Sequence, residues 1–226
     1  MRMSGSERRE QIISIARGAF AAKGYEATSI EEIAAAATIS KPVVYEHFGG
    51  KEGLYAVVVD REVRGLLDRV AGALDADHPK AKLEQAALAL LGYVEEEPDG
   101  FRILVRDSPA MSATGTFASL IGDIATQVEH ILAEEFKRRG FETKLAPLYS
   151  HALVGMVALV GEWWLDEGKP KRAEVASHLV NLAWNGLGSL DPNPVKTARK
   201  EAKAAKGAAA EARSQSRPSS TTIPVL

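Results

Sequence analysis

The sequence contains no cysteine, and only 6% of its 226 residues are aromatic. Without cysteine there is no disulfide framework, no thiolate metal site and no cysteine nucleophile, which fits a reducing cytoplasm. The N-terminus lacks the apolar core of a secretory signal. The most apolar run, Ala152 to Leu165, is interrupted by Glu162 and is shorter than the roughly 20 residues that cross a bilayer. We therefore expect a cytoplasmic protein with no membrane partner.

The common motifs of enzymes are absent as well. We find no GxSxG elbow, no phosphate-cradling glycine loop and no HExxH pair of metal ligands. Glu174 and His178 are four residues apart and could begin a metal site, but a lone pair of this kind is usually a surface contact. We expect no enzymatic activity, no cofactor and no metal.

Charge is spread unevenly along the chain, whose formal net charge is −2. Residues 1–60 hold seven basic and eight acidic side chains, whereas residues 191–226 hold seven basic and three acidic ones. The overall charge therefore neither favours nor excludes a nucleic-acid partner, and the local placement of cations must decide.

Apolar residues recur at helical spacing in almost every segment before Asp191, and no alternating strand pattern occurs. This pattern predicts an all-α fold of about nine helices. The expected helices cover 7–23, a short segment from 28 or 29 to about 37, 41–48, 51–74, 82–96, 100–106, 117–139, 146–167 and 172–187. After Asp191 alanine, lysine, arginine and serine dominate, which predicts a basic, disordered tail over 191–226 that could be transiently helical from Val195 to Arg213.

The second and third helices show the features of a helix-turn-helix at about 29–48. Thr28 with Glu31, and Ser29 with Glu32, have the spacing of a capping box, and Ser40 can cap the next helix. A connection of about four residues joins the two helices. In a helix-turn-helix the second of these helices lies in the major groove of DNA.

The third helix divides into an inner and an outer face. Val44 and Phe48 are four residues apart and should face the core. The outward positions are Lys41, Val43, Tyr45 and His47. They offer a cation, an apolar contact, a phenol and an imidazole, which are groups that touch phosphates and base edges.

The segments T-S-I-E-E-I-A, S-K-P-V-V-Y-E-H-F and K-E-G-L together resemble the N-terminal domain of the TetR family of bacterial transcriptional repressors, over residues 7–55. The resemblance implies that Thr28, Ser29 and Lys51 bind phosphate at helix starts, and that Tyr45 and His47 hold the DNA backbone. The residues implied nearest the bases are Ser40, Lys41, Pro42 and Val43. Two departures are Thr38, where the family often has glycine in the turn, and Glu46, an acid beside the DNA face.

The resemblance also implies a division of the chain and a mode of action. Residues 1–55 would bind a palindromic operator, residues 56–190 would bind an effector and form the dimer, and the effector would release the repressor from DNA. The apolar helices within 146–187 could bury each other across a homodimer as a four-helix bundle. When bound to DNA the protein would lie at the bacterial nucleoid.

The effector is expected to be small and largely apolar, because few charges occur among the pocket candidates. These candidates are Tyr93, Phe101, Leu104, Phe117, Ile121, Met156 and Trp163. Each could equally be an ordinary core or interface residue. Arg102, Arg106 and Asp107 could bind a polar end of the ligand.

Two other classes of protein remain open from the residues alone. The chain could be an enzyme that uses the helical body, or an α-helical adaptor that uses the helix-turn-helix for protein contacts. If the chain binds DNA, the weakly acidic N-terminal segment of residues 1–60, called the head below, predicts that the binding affinity depends only weakly on salt. With about three charged phosphate contacts in each half-site, the log–log slope for a dimer would be about −5.

Overall fold

The computed structural model describes residues 3–74, 78–105, 117–191 and 194–215. Within those ranges the chain forms ten α-helices, one short 3₁₀ helix and no strand, which confirms the all-α prediction. The helices are α1 Gly5–Ala27, α2 Ile30–Ala36, α3 Lys41–Phe48, α4 Lys51–Ala73, α5 Pro79–Glu96, α6 Pro98–Val105, α7 Phe117–Arg139, α8 Ala146–Glu167, α9 Arg172–Gly188 and α10 Pro194–Gln215.

The tenth helix lies where the sequence predicted a disordered tail. The chain divides into two compact units, Met1–Gly188 and Ser189–Leu226, and α10 belongs to the second. Its sequence is mostly alanine, lysine, arginine and glutamate, which have the highest intrinsic helix propensities. Local propensity accounts for the helix, even though the segment has few large apolar residues to bury.

In the first unit, α1 begins and bends at residues whose local chemistry explains both. Ser4 caps the helix in a reciprocal capping box with Glu7. Gly24 has φ of 79°, a left-handed conformation that suits glycine, and it interrupts the helical geometry. The ring of Tyr25 then lies 6.3 Å from that of Phe20 and 4.9 Å from that of Tyr55.

The turn between α2 and α3 is closed by Thr38, the position where the TetR pattern often has glycine. Thr38 has φ of 55°, the one positive φ outside glycine among the described residues. A β-branched residue in this conformation costs about 1–2 kcal/mol. The departure noted in the sequence therefore corresponds to real backbone strain in the turn.

A small core holds α1, α2, α3 and the start of α4 together. Val44 is completely buried in it, and Phe48 packs against it from a half-buried position. The guanidinium of Arg9 lies 4.6 Å from the Phe48 ring centroid. The inner face of α3 predicted from the sequence is thus the observed one.

A second core joins α4 and α6 to the long helices α5, α7, α8 and α9. The helix of this group with the strongest apolar character is α8. The segment Thr143–Glu167 is long and apolar enough to cross a membrane by length and composition, a test that core helices also pass. Large apolar side chains exposed on α8 and α9 are Leu148, Leu159, Trp163 and Leu182.

Candidate nucleic-acid interface and interior cavity

Most of the residues predicted to meet DNA lie on the surface of α3 and the turn before it. Ser40, Lys41, Pro42 and Tyr45 are exposed, and Tyr45 keeps 47% of its surface accessible. Val43, His47, Lys51 and Ser29 are half-buried. Together these side chains offer cations, hydroxyls and an imidazole to a ligand.

Thr28 does not fit the phosphate-binding role that the resemblance implied. It is only 2% exposed, and its hydroxyl donates to the carbonyl of Gly24 at 2.7 Å, with the carbonyl of Ala19 at 3.2 Å. Its backbone N–H donates to the carbonyl of Tyr25. Thr28 therefore fastens the end of α1, and its polar groups are occupied inside the head.

Ser29 is the residue that caps α2. Its hydroxyl accepts the Glu32 N–H at 3.2 Å, and the Glu32 carboxylate accepts the Ser29 N–H at 3.3 Å. Of the two capping boxes that the sequence allowed, the structure contains the second. Ser29 lies at the positive end of the α2 dipole, a position that favours an anion.

Lys41 is paired with an acid that the sequence did not assign to it. The carboxylate of Glu31, on α2, accepts a hydrogen bond from the Lys41 ammonium. This bond raises the pKa of Lys41 and lowers that of Glu31. Sequence reasoning considered Glu46 as the neighbouring acid, whereas the pairing partner comes from the other helix of the helix-turn-helix. The ten-residue separation gave no local signal for it.

Lys51 is held at the start of α4 by backbone and aromatic contacts. Its ammonium donates to the carbonyl of Glu26 at 3.1 Å and lies 4.4 Å from the ring centroid of Tyr25. A cation here runs against the helix dipole, so these two contacts account for its placement. They leave the charge half-exposed at the edge of the α3 surface.

Two glycines next to α3 set the position of Tyr45 and of α4. A Cβ added to Gly50 would lie 3.4 Å from the Tyr45 ring, and Gly50 has φ of 137°. A Cβ added to Gly53 would lie 2.0 Å from the carbonyl oxygen of Phe48. The glycine of K-E-G-L therefore permits the close crossing of α3 and α4, a role that the sequence did not reveal.

A polar cluster connects the head to the rest of the first unit. Arg17, on α1, pairs with Glu62 of α4 at 2.7 Å and with Glu97 at 2.7 Å. The hydroxyl of Tyr93, on α5, donates to Glu62 at 2.5 Å. Burial, together with this bond to Glu62, raises the pKa of the Tyr93 phenol well above its ordinary value, so the hydroxyl remains a donor.

Gly100 of α6 completes this cluster by leaving room for it. A Cβ at this position would lie 1.9 Å from Glu62 Oε2, 2.6 Å from the Tyr93 hydroxyl and 2.8 Å from Arg17 Nη2. Four helices therefore meet at one set of hydrogen bonds. A shift of α6 against α4 must disturb them.

The first unit contains an apolar cavity of about 320 Å³. It is lined by Leu74, Pro79, Lys82, Leu83, Ala86, Val128, Ile131, Leu132, Glu135, Phe136, Arg139, Leu153, Trp184, Leu187 and Gly188. A smaller void of about 40 Å³ shares Leu83, Ala86, Val128 and Leu153 with it. The lining is mainly apolar, with Lys82, Glu135 and Arg139 as its charged members.

None of the six predicted pocket residues whose side chains the structure describes lines this cavity. Tyr93, Phe101 and Leu104 are buried in the core, and Ile121 and Met156 pack against it. Trp163 is 54% exposed, and Phe117 begins α7 but its side chain lies outside the described residues. Helical periodicity identifies side chains that are buried, but it cannot tell a filled interior from an empty one.

Of the three candidates for a polar ligand contact, the structure describes Arg102. Arg102 lies 3.7 Å from Asp99 and 3.8 Å from Asp166 in surface ion pairs, and Arg106 and Asp107 lie outside the described residues. Over the described part of the chain, no group of three or more histidine or acidic side chains could hold a metal ion.

Comparison with known families agrees with this architecture. Residues 12–58 match the family described as "Bacterial regulatory proteins, tetR family". Residues 69–198 match the one described as "Tetracyclin repressor-like, C-terminal domain". The chain belongs to the TetR family. As a TetR-family protein it is a DNA-binding transcriptional regulator with a helix-turn-helix head, as the sequence resemblance implied.

Individual relatives of this TetR-family regulator differ in their stated action. The HTH-type transcriptional activator FasR of Mycolicibacterium smegmatis is 29% identical over 192 residues, which cover 82% of this chain and 85% of FasR. The HTH-type transcriptional repressor KstR2 of Rhodococcus jostii is 40% identical over 67 residues, which cover 30% of this chain and 31% of KstR2.

A solved structure shows a similar fold. A TetR-like transcriptional regulator from Rhodococcus sp. RHA1 is 28% identical, with a TM-score of 0.71 over 84% of this chain and 100% of that one.

Proposed function

We propose that this regulator binds a palindromic operator as a homodimer and represses transcription until a small, largely apolar effector releases it. The observation that carries the DNA-binding part is the exposed surface of α3, where Lys41 and Tyr45 project beside Ser40 and Pro42. Residues 1–55 would form the DNA-binding domain and residues 56–190 the effector-binding and dimerisation domain. The protein would act in the bacterial cytoplasm, at the nucleoid.

The DNA contacts in this proposal divide by chemistry. Ser29 and Lys51 would hold phosphates at the starts of α2 and α4. Tyr45 and His47 would contact the backbone, and the segment Ser40–Val43 would lie nearest the bases. Thr28 is omitted, because its hydroxyl is already bonded within α1.

A footprint on the DNA upstream of the gene, followed by two variants, tests this proposal. We expect a protected inverted repeat whose half-sites lie about 34–36 Å apart. Tyr45→Ala with Lys51→Ala should abolish protection while the protein stays folded and dimeric. Glu26→Gln, which leaves the backbone carbonyl that holds Lys51, is the matched control and should keep protection. If the double variant still protects the repeat, the assigned face is wrong.

A reporter gene placed behind the same operator shows whether the protein represses or activates transcription. A repressor lowers transcription from this promoter, and the effector restores it. FasR is named an activator and KstR2 a repressor, so membership of the family does not determine whether this protein activates or represses transcription. Higher reporter expression with the protein than without it would contradict the repressor proposal and leave operator binding intact.

The cavity between α5, α7, α8 and α9 is the site that we propose for the effector. Its apolar lining favours a hydrocarbon or aromatic group. Lys82 and Arg139 could meet an anionic end. Arg139 is already bonded to the carbonyls of Leu187 and Gly188 at 2.9 Å, so Lys82 is the better candidate for that contact.

Filling the cavity tests this assignment. Ala86→Phe places a ring in the space that Ala86 borders in both voids. Ala81→Phe, on the same helix but away from both linings, is the matched control. Binding of medium-chain fatty acids, followed by fluorescence of the lining residue Trp184, should be lost in the first variant only. Equal binding by the two variants would place the effector elsewhere.

A further inference from the structure

The helix α10 carries a row of cations that neither the head nor the cavity uses. Lys196, Arg199, Lys200, Lys203 and Lys206 recur at three- and four-residue steps, and all five are exposed. At 3.6 residues per turn they fall within an arc of roughly 120°. We call these five residues the basic stripe. The single acid among residues 194–206, Glu201, lies roughly 160° from the middle of the stripe.

The positive charges of the basic stripe lower the stability of the isolated helix. Lys196 with Lys200, and Arg199 with Lys203, are like charges four residues apart, which destabilise a helix. The first turn contains Lys196 and no acid, so the helix dipole is opposed as well. A row of anions along the stripe would remove both costs. The arrangement therefore indicates a polyanionic partner.

Duplex DNA fits this surface better than a lipid bilayer does. Between Lys196 and Lys206 the helix has alanines and no large apolar side chain, so it lacks the apolar face that inserts into a membrane interface. The five cations extend over about 15 Å of helix. About four phosphates of one DNA strand occupy the same length.

We propose that the basic stripe of α10 binds the phosphate backbone of duplex DNA as a second contact, independent of base sequence. It raises affinity for any duplex and adds no base preference. Residues 199–206 lie beyond the segment that matches the TetR C-terminal family, so the family match assigns no role to these stripe residues. It presupposes that the chain works on DNA, but not that the head binds in the manner proposed above.

The test replaces all five stripe residues by glutamine in the full-length protein, because glutamine keeps a high helix propensity. Fluorescence anisotropy with a duplex that lacks the operator measures the affinity for DNA at salt concentrations from about 50 to about 300 mM. If three stripe cations reach phosphates, the log–log slope becomes shallower by roughly 3 per chain. Affinity near 0.1 M salt should then fall by at least about tenfold. An unchanged slope and affinity would overturn the proposal.

A rearranged variant separates the stripe from simple net charge. Lys196→Ala, Ala198→Lys, Lys203→Ala and Ala205→Lys keep composition and charge, and they move two cations to the other side of the helix. We expect this variant to lose part of the affinity for the duplex. Binding equal to that of the native protein would show that no defined face is used, and the proposal would fail.

Two further arms distinguish this inference from the function proposed for the head. Tyr45→Ala with Lys51→Ala should lose operator preference and retain the affinity that depends on the stripe. Vesicles with about a third phosphatidylserine test the alternative partner. Binding to vesicles that disappears with the stripe, while DNA affinity does not change, would assign α10 to a membrane and overturn DNA binding by this helix.

Discussion

At the scale of single residues, Thr28 shows how one motif can serve structure where binding was expected. Its spacing to Glu31 fits a capping box, and its place in the TetR pattern implies a phosphate contact. The folded chain gives the cap to Ser29 and turns the Thr28 hydroxyl to the carbonyls of α1. The position of α1 in the folded chain determines whether Thr28 or Ser29 caps α2. The local sequence therefore allows either residue to be the cap.

Thr28→Val is therefore expected to lower stability and leave DNA binding unchanged. Valine keeps the shape but loses the hydroxyl donor, which costs about 1 kcal/mol. Thermal unfolding measures the loss, and anisotropy with operator DNA measures binding at a temperature where both proteins are folded. The comparison is Ser29→Ala, which should weaken the helix cap by a similar amount and also reduce affinity. A lower operator affinity in Thr28→Val, at a temperature where it is folded, would restore the phosphate role.

Glu31 restrains a lysine that the α3 surface needs. We expect Glu31→Gln to free the Lys41 ammonium and to raise operator affinity. The log–log salt slope should steepen by roughly 2 for a dimer, because the freed ammonium beside the bases adds one cation that neutralises DNA charge in each half-site. Glu46→Gln is the matched control, since it removes an exposed acid of the same helix-turn-helix without releasing Lys41. If both variants gain equally, the effect is one of net charge and the pairing is irrelevant.

At the scale of elements, helix ends were predictable where a local signal marks them. The predicted bounds of α3, α7 and α8 are the observed ones, and Gly49, Gly140 and Gly168 follow them with positive φ. The starts of α5 and α6 were predicted too late. Pro79 and Pro98 lie before the predicted starts at 82 and 100, but proline is favoured in the first turn of a helix, where its missing N–H costs nothing.

Contacts between distant elements could not be predicted in this way. The cluster of Arg17, Glu62, Tyr93 and Glu97 joins residues up to 80 positions apart. Nothing in the spacing of those residues marks it. The cavity could not be predicted for the same reason. It is the space that the packing of α5, α7, α8 and α9 leaves between these helices, which are distant in sequence.

Gly100 provides a test of that cluster. We expect Gly100→Ala to lower stability by about 1–3 kcal/mol, because the Glu62 carboxylate would have to move away from the new methyl group and disturb its bonds to Arg17 and Tyr93. Gly122→Ala on α7 is the control. Among the described residues a Cβ there meets no atom within 4 Å, so that change should stabilise the helix by about 0.5–1 kcal/mol. Thermal unfolding would show opposite shifts, and equal shifts would contradict the close packing at Gly100.

At the scale of the whole molecule, the exposed apolar surface of α8 and α9 is expected to be covered by a binding partner. Leu148, Ala152, Leu159 and Trp163 are exposed at helical spacing along α8, and Leu182 is exposed on α9. Soluble proteins seldom leave such a surface uncovered. A second copy that offers the same helices would bury it, in a symmetric contact where each chain supplies the same surface.

Leu159→Glu with Leu182→Glu is therefore expected to convert the dimer to a monomer. The charges would have to be buried against apolar side chains of the other copy, which costs several kcal/mol. Sedimentation velocity measures the mass, and circular dichroism checks that the helices remain. Thr126→Glu with Ser177→Glu adds the same charges at exposed polar sites on α7 and α9 and should stay dimeric. If two heads read the operator at a fixed separation, as proposed above, the monomer should also lose the cooperative protection of both half-sites. A dimeric double variant with native operator binding would place the interface on another surface.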